Sequence, residues 1–289
     1  MKITAINAGL FKLDGGAMHG IIPKVMWEKK NPPDEKNLCV WTMRCLLVQT
    51  ADRRILVDTG MGTKMDPKFA RHFHPHGDDD LLKSLHKTGV SPHQITDVLL
   101  THLHFDHVGG AVTYDGEGQL VPTFPNATYW SNERHWNWAM EPNAREKASF
   151  LKENFVPLRE QGCVQWIPVT ADDHEWMPNI NIRFVYGHTE AMMVPIFELG
   201  ERRAVYCADV MPSATHLSLP WVMGYDLRPL ATLREKQRIL TEAVQHKDLL
   251  IFEHGKAHAA VTVTTDQRGR YVSDQAYVEL SEAFDRGRN

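Results

Sequence analysis

The chain has 289 residues, of which 43% are hydrophobic and 24% are charged, and its formal net charge is −4 at neutral pH. These values are typical of a soluble globular protein and exclude a largely disordered chain, a collagen-like chain and a coiled coil. Because the charge is slightly negative, we expect no nucleic-acid partner. No apolar run reaches the length of a membrane span, and the first residues lack an apolar signal segment, so we expect a cytoplasmic protein with no membrane partner.

The first half of the sequence alternates strands with short helices. Residues 38–50 and 55–60 predict a β-hairpin that ends in a loop. Residues 81–89 predict a helix that follows an acidic run and stops at Gly89. Residues 95–101 predict a strand that leads directly into the histidine-rich sequence HLHFDHVGG.

The second half begins with two predicted helices between residues 131 and 155. The first starts at Ser131, and the second covers 143–155 with apolar residues spaced for one face. Strand-like runs then return at 163–169, 180–186, 194–199, 203–207 and 248–255. A helix is predicted over 229–246, with a proline in its first turn. Since no linker or composition shift divides the chain, we predict a single α/β domain over residues 1–289.

The strongest chemical signal follows the strand at 95–101. His102, His104, Asp106 and His107 lie within six consecutive positions, and strand alternation aims His102 and His104 the same way. Imidazole nitrogens and carboxylate oxygens are the ligands that suit zinc and neighbouring divalent metals. We therefore predict a metal site here rather than a solvated polar loop.

Other strand ends supply further candidate ligands. His188 follows a strand and a glycine, while Asp209 and His254 each come at the end of a strand. Together with the motif after residue 101, these side chains are too many for one tetrahedral ion. We expect two divalent ions per chain, with zinc as the first choice and iron, cobalt or manganese as alternatives.

Five motifs occur in the order seen in the metallo-β-lactamase family. They are DTG at 58–60, THLHFDHVGG at 101–110, GHTEAM at 187–192, CADV at 207–210 and FEHG at 252–255. The chain resembles this family over essentially its whole length. The resemblance implies an α/β metallo-β-lactamase fold, a four-layer αββα sandwich with two metals at one edge.

The resemblance also implies a role for each candidate ligand. The first metal would be held by His102, His104 and His188, and the second by Asp106, His107 and His254, with Asp209 bridging both and Asp58 orienting a ligand histidine.

Position 209 separates the branches of the family. Zinc β-lactamases commonly carry cysteine there, whereas this chain has Asp209, and we expect Cys207 to lie in the core. The candidate pair Asp106 and His107 argues against the persulfide dioxygenases, which use one iron. The segments 13–27 and 208–226 resemble those of the N-acyl-homoserine lactonases, which are quorum-quenching enzymes, and of the related methyl parathion hydrolases.

The resemblance implies a dinuclear-metal hydrolase that opens lactone rings. N-acyl-homoserine lactones are the first candidate substrates, opened by attack of a metal-bridging hydroxide, with Asp106 as the catalytic group that returns a proton to the leaving alkoxide. The alternative is an organophosphate triester or aryl-ester hydrolase that uses the same site. A metal-binding scaffold without turnover is the non-enzymatic alternative.

The expected partner is a small lactone or a related ester, and a homodimer is left open. The candidate pocket residues are Met18, His19, Met26, Trp27, His216, Trp221, Tyr225 and His258. Many lactonases of this branch carry a tyrosine three residues after the bridging aspartate, where its hydroxyl contacts the substrate carbonyl. This chain has Pro212 there, and Tyr225 and His216 are the candidate replacements. The departure concerns the preferred substrate more than the class of reaction.

Overall fold

The computed structural model describes residues 1–285, which form two compact units. Unit 1 comprises Met1–Phe11 and Met43–Val169, and unit 2 comprises Lys12–Thr42 and the chain from Thr170 onward. The single domain over residues 1–289 stays a prediction.

The strands are β1 (Lys2–Asp14), β2 (Leu38–Gln49), β3 (Arg54–Val57), β4 (Asp97–Leu99), β5 (Val112–Tyr114), β6 (Leu120–Pro122), β7 (Thr128–Ser131), β8 (Val164–Trp166), β9 (His174–Met177), β10 (Ile180–Val185), β11 (Met192–Leu199), β12 (Arg202–Tyr206), β13 (Leu249–Ile251), β14 (Ala260–Thr265) and β15 (Tyr271–Tyr277). The helices are α1 (Gly15–His19), α2 (Lys24–Trp27), α3 (Pro67–Phe73), α4 (Leu81–Lys87), α5 (Phe105–Val108), α6 (Glu133–Met140), α7 (Val156–Glu160), α8 (Pro229–His246) and α9 (Leu280–Asp285).

The main sheet of unit 1 has the strand order β1-β2-β3-β4-β7-β8. Strands β2 and β3 form the predicted antiparallel hairpin, and β3, β4, β7 and β8 pair in parallel. Parallel neighbours end at the same edge of a sheet, so the loops after β3 and β4 leave it side by side. The N–H of Asp58, just after β3, donates to the carbonyl oxygen of Leu99 at 2.9 Å. This edge therefore carries both Asp58 and the histidine motif.

The sheet of unit 2 has the order β15-β14-β13-β12-β11-β10-β9. Strands β12 and β13 are parallel, and β10 runs in the same direction because two antiparallel pairings separate it from β12. The carboxyl ends of these three strands therefore point to one edge. His188 follows β10, Asp209 follows β12 and His254 follows β13.

Helix α8 confirms the helix predicted over 229–246. It starts at Pro229, whose missing N–H is harmless in a first turn, and it ends at Lys247 in the left-handed conformation, with a φ of 55°. Its buried residues follow the spacing of three and four that places them on one face, namely Thr232, Lys236, Ile239, Leu240 and Ala243.

The helix predicted over 143–155 is wrong. Residues 144–149 form turns and only Lys152–Asn154 forms a short 3-10 helix. The preceding helix, α6, is capped by Asn132, whose side chain accepts the N–H of His135, and not by Ser131. In place of helical bonding, the carbonyl oxygen of Ser149 accepts the N–H of Phe105 at 2.9 Å. The backbone of this segment thus forms a hydrogen bond with the histidine motif and does not form a helix.

All four cysteines lie within the described residues. All four cysteines are free thiols, and Cys207 is fully buried as expected of a core residue. Within the described residues, no helix has both the length and the apolar character needed to cross a membrane.

Candidate metal centre

In unit 1, the motif after β4 packs three imidazoles and a carboxylate into one buried turn. Nε2 of His102 lies 3.1 Å from Nδ1 of His104, and the ligand atoms of His102 and His107 lie within 4.8 Å of each other. Oδ2 of Asp106 lies 3.9 Å from Nε2 of His107. The motif therefore presents four candidate ligand atoms to one small region, and all four side chains are buried.

The opposite nitrogens of two of these rings face hydrogen-bond acceptors. Oδ2 of Asp58 lies 3.2 Å from Nδ1 of His107 and also accepts the hydroxyl proton of Thr101 at 2.7 Å. Because that proton goes to Asp58, the Thr101 oxygen accepts from Nδ1 of His102, at 3.1 Å. Asp58 thus contacts His107 directly and is linked to His102 through the hydroxyl group of Thr101.

In unit 2, the carboxylate of Asp209 lies between two histidines. Its Oδ2 is 3.2 Å from Nε2 of His188, and its Oδ1 is 3.1 Å from Nε2 of His254. The preceding residue, Ala208, has a φ of 42°, a left-handed conformation that is unfavourable for alanine. This turn directs the two oxygens of one carboxylate toward two different imidazoles.

The Nδ1 atoms of these two histidines are hydrogen-bonded as well. Nδ1 of His188 donates to Oδ1 of Asp226 at 3.1 Å, and Nδ1 of His254 donates to the carbonyl oxygen of Thr42 at 2.7 Å. Each acceptor keeps the proton on Nδ1 in the neutral imidazole, so Nε2 presents a lone pair. In both cases that lone pair faces an oxygen of Asp209.

This donor set fits divalent metal ions. Lone pairs that face carboxylate oxygens or one another repel unless a cation lies between them. Neutral imidazole and carboxylate are ligands of zinc and related metals, and outer hydrogen bonds of this kind orient ligand histidines in metal sites. Each unit therefore carries a His/Asp group whose donor atoms suit a divalent metal ion.

Comparison with known proteins places the chain in a family. The model of the metallo-β-lactamase superfamily matches residues 44–254, which is most of the chain. The chain belongs to the metallo-β-lactamase superfamily. It is accordingly a hydrolase with the metallo-β-lactamase fold, as the motifs of the sequence predicted.

The chain is similar to individual proteins known from their sequences and to others with solved structures. An N-acyl homoserine lactonase from Bacillus thuringiensis is 22% identical over 272 residues, covering 88% of this chain and 92% of its own. A probable metal-dependent hydrolase from Staphylococcus aureus is 27% identical, with a TM-score of 0.84 and coverage of 95% of this chain and 97% of its own. AidC, a dizinc quorum-quenching lactonase solved with the product N-hexanoyl-L-homoserine, is 20% identical, with a TM-score of 0.76 and coverage of 95% and 96%.

Four of the predicted pocket residues form a buried aromatic cluster within unit 2. The ring of His19 stacks on Trp27 at 5.1 Å and on His216 at 5.0 Å, and it meets Trp221 edge-on at 5.7 Å. Burial and the nearby Lys30 lower the pKa of His19 to about 4. Burial is also the main reason why the pKa of His216 falls to about 3. Both rings are therefore neutral at physiological pH.

His216 links the two segments that contain most of the candidate pocket residues, 13–27 and 208–226. Its Nε2 donates to the carbonyl oxygen of Met18 at 2.9 Å, and its Nδ1 accepts the hydroxyl proton of Ser213 at 2.8 Å. Nearby, the N–H of Gly224 donates to the carbonyl oxygen of Ala17 at 2.8 Å. Since both ring nitrogens of His216 are engaged, a contact with a substrate carbonyl would require one of these bonds to break.

The remaining predicted pocket residues differ in exposure. Met18 is buried, His258 is half-buried, and Met26 and Tyr225 are exposed by 52% and 41%. Of the two candidate replacements for the tyrosine missing at Pro212, Tyr225 is thus the one with an accessible side chain.

A buried lysine holds the loop that carries Trp221. Nζ of Lys236, on α8, donates to the carbonyl oxygens of Ser218, Leu219 and Trp221 at 2.6, 3.2 and 2.8 Å. The side chain is fully buried, and burial lowers its pKa to about 7. Sequence reasoning treated this residue as part of an ordinary helix.

The sequence also showed no sign of three side chains that contact the candidate ligand histidines or their loop. Asp226 bonds His188, Nε2 of His135 accepts the N–H of Leu103 at 2.9 Å, and Glu146 lies beside His104. None of them belongs to a recognisable motif, so no signal in a single sequence separates them from surface polar residues.

Proposed function

We propose that the chain holds two divalent ions, with zinc as the expected metal. The ligands are those expected from the sequence, namely His102, His104, Asp106, His107, His188, Asp209 and His254. The single observation that carries this proposal is the carboxylate of Asp209, whose two oxygens face His188 and His254 separately. Such a group suits two ions that share one ligand. The dizinc nature of the relative AidC supports the same stoichiometry.

Two ions held by these residues would activate a water molecule near neutral pH and polarise the substrate carbonyl. The protein's own groups then have distinct tasks. Asp58, Asp226 and the Thr42 carbonyl keep the ligand histidines in one tautomer. Asp106, the carboxylate within the motif, is the group that we propose returns a proton to the leaving alkoxide.

We propose that the substrate is a lactone, with N-acyl-homoserine lactones as the first candidates. A relative that covers most of this chain is named as such a lactonase, which makes quorum quenching the expected role. Tyr225, as the accessible candidate, would take the contact with the substrate carbonyl that Pro212 cannot make. A cytoplasmic location, a homodimer and the identity of the metal stay predictions.

The test is a substrate panel with purified protein loaded with zinc. It compares N-acyl-homoserine lactones of increasing acyl length, simple lactones, aryl esters and a phosphotriester such as paraoxon. We expect the highest kcat/KM for acyl-homoserine lactones, rising with chain length by about one to two orders of magnitude if two to four methylenes are buried at about 0.8 kcal/mol each.

Two variants make the panel diagnostic. Asp209→Ala controls for contaminating hydrolases and should be inactive on every substrate. Tyr225→Phe removes only a hydroxyl and should lower kcat on lactones. A flat chain-length profile with faster phosphotriester cleavage would instead support the alternative organophosphate hydrolase.

A further inference from the structure

The segment 132–150 of unit 1 holds three successive residues of the metal-binding motif. Nε2 of His135 accepts the N–H of Leu103 at 2.9 Å, and the Ser149 carbonyl oxygen accepts the N–H of Phe105 at 2.9 Å. Between these two bonds, Oε1 of Glu146 lies 3.6 Å from Nε2 of His104. The residues on either side of His104 are thus fixed by their backbones, and His104 itself is approached by a carboxylate.

Glu146 is buried and its orientation is fixed. Its Oε2 accepts the indole N–H of Trp138 and the side-chain N–H of Asn143, both at 2.7 Å. With two bonds on Oε2, the carboxylate cannot turn without losing them, so Oε1 remains directed at His104. The distance of 3.6 Å is a few tenths of an ångström longer than a hydrogen bond, so the contact in this structure is electrostatic.

The tautomer of His104 follows from this arrangement. Nδ1 faces Nε2 of His102 at 3.1 Å, and Nε2 of His102 presents a lone pair because its Nδ1 is held by Thr101. A ligating Nδ1 on His104 must also present a lone pair, which puts the proton on Nε2, opposite Glu146. We propose that Glu146 is a positioning residue that keeps His104 in this tautomer and increases its affinity for the first metal ion.

This inference rests on the proposed dinuclear centre, and Glu146→Gln tests it with little change in shape. Trp138 and Asn143 donate to Oε2, so the glutamine places its carbonyl oxygen there and turns its amide N–H group toward His104. A donor then faces the Nε2 proton, and the imidazole shifts to the tautomer that has its proton on Nδ1. That tautomer cannot bind a metal through Nδ1.

The measurement is the affinity and stoichiometry of zinc binding to the metal-free protein, by competition with a chromogenic chelator. We expect wild type to bind two ions and Glu146→Gln to bind one of them about tenfold to a hundredfold more weakly, with the other ion unaffected. The visible spectrum of the cobalt-substituted protein should change at one site only. Both readouts are independent of catalytic activity.

Asp97→Asn is the matched control. Asp97 is also a buried carboxylate of unit 1 that accepts a tryptophan indole N–H, from Trp130 at 2.9 Å, and it pairs with Arg53 at 3.0 Å. It should lower the free energy of unfolding without changing zinc affinity.

The outcomes separate the two proposals. If wild type binds two ions and Glu146→Gln binds both with unchanged affinity, or loses both equally, the positioning role is wrong. If wild type binds fewer than two ions, the dinuclear centre itself fails. If metal binding behaves as expected but no lactone is opened, only the proposed substrate fails.

Discussion

Nδ1 of His254 donates to the carbonyl oxygen of Thr42 at 2.7 Å, across 212 positions of sequence. A backbone carbonyl can only accept, so this bond fixes a proton on Nδ1, and in the neutral imidazole the Nε2 lone pair is directed at Asp209, 3.1 Å away. Two electron-rich atoms at this distance repel unless a proton or a metal cation lies between them, and the same holds for His188.

We therefore predict that zinc stabilises the protein strongly. Each ion that binds only the folded state should add about 2.7 kcal/mol to the free energy of unfolding at a free concentration one hundred times its Kd. Denaturant unfolding with and without added zinc measures the effect, and elemental analysis should give two ions per chain. A stoichiometry that stays at one after metal addition would contradict the proposed centre.

Asp209→Ala should abolish activity, whereas Cys207→Ala should leave it nearly unchanged. The first substitution removes the shared ligand, and the loss should exceed about a hundredfold because even the outer partners of ligands are worth tenfold to a hundredfold. Cys207 is fully buried with its Sγ 3.7 Å from the Val205 carbonyl oxygen, and burial raises the pKa of its thiol well above the ordinary value. Hydrolysis rates and zinc content of both variants check this, and loss of zinc from Cys207→Ala would refute the assigned bridge.

Acid should destabilise unit 2 through its buried histidines. The folded-state pKa values of His19 and His216, about 4 and about 3, lie below the ordinary histidine value of 6.5. The unfolded chain therefore takes up protons first, and stability that is complete above pH 6.5 is lost as the pH falls from 6.5 toward 4 and 3. Each histidine contributes a slope of about 1.4 kcal/mol per pH unit within its window.

His19→Phe keeps a ring in the stack but removes one titrating group. In the presence of a chelator, its free energy of unfolding should depend less steeply on pH than that of wild type. The difference should correspond to the uptake of about one proton fewer on unfolding. His93→Phe, at an exposed histidine, is the control for the loss of a histidine as such. Equal slopes for His19→Phe and wild type would show that His19 does not stay neutral in the folded protein.

Lys236→Met should loosen the loop from Ser218 to Trp221. The substitution keeps the length of the side chain but leaves three carbonyl oxygens without their donor, and we expect a loss of about 2–3 kcal/mol in the free energy of unfolding. KM for long-chain lactones should rise more than kcat falls, because Trp221 is displaced. Gln237→Met, one position along the same helix and exposed, should change neither quantity.

The positions of the candidate ligands could be predicted from the sequence because they depend on local rules. Strand ends are recognisable from apolar runs, and the carboxyl ends of parallel strands lie at one edge of a sheet, which accounts for the place of His102 in its sheet and of Asp209 in the other. That these side chains bind metal stays a prediction. The residues behind the ligands obey no such rule. Asp226 reaches His188 from a loop 38 positions later, and one sequence gives no indication of that contact.

The error over residues 143–155 has the same physical origin. Their spacing of apolar residues suits a helix, but tertiary bonds from this segment to the metal-binding motif outweigh helix propensity. Ser149 uses its carbonyl oxygen for Phe105, and Glu146 is turned toward His104. Among the candidate pocket residues, His19 stacks on both Trp27 and His216, a contact that the sequence did not indicate, and their role in a pocket stays a prediction.

The bond from His216 to the Met18 carbonyl oxygen, together with that from Gly224 to Ala17, has a practical consequence for protein engineering. The two stretches of chain around these residues, although some 200 positions apart, form one building block. Because the groups of Met18, Ala17 and Gly224 belong to the backbone, a chimaera that imports one stretch from a relative keeps both bonds only where the imported backbone follows the same path and position 216 stays histidine. Changes of substrate range in this chain are therefore best attempted by exchanging both stretches together, or by varying one of them with His216 kept in place.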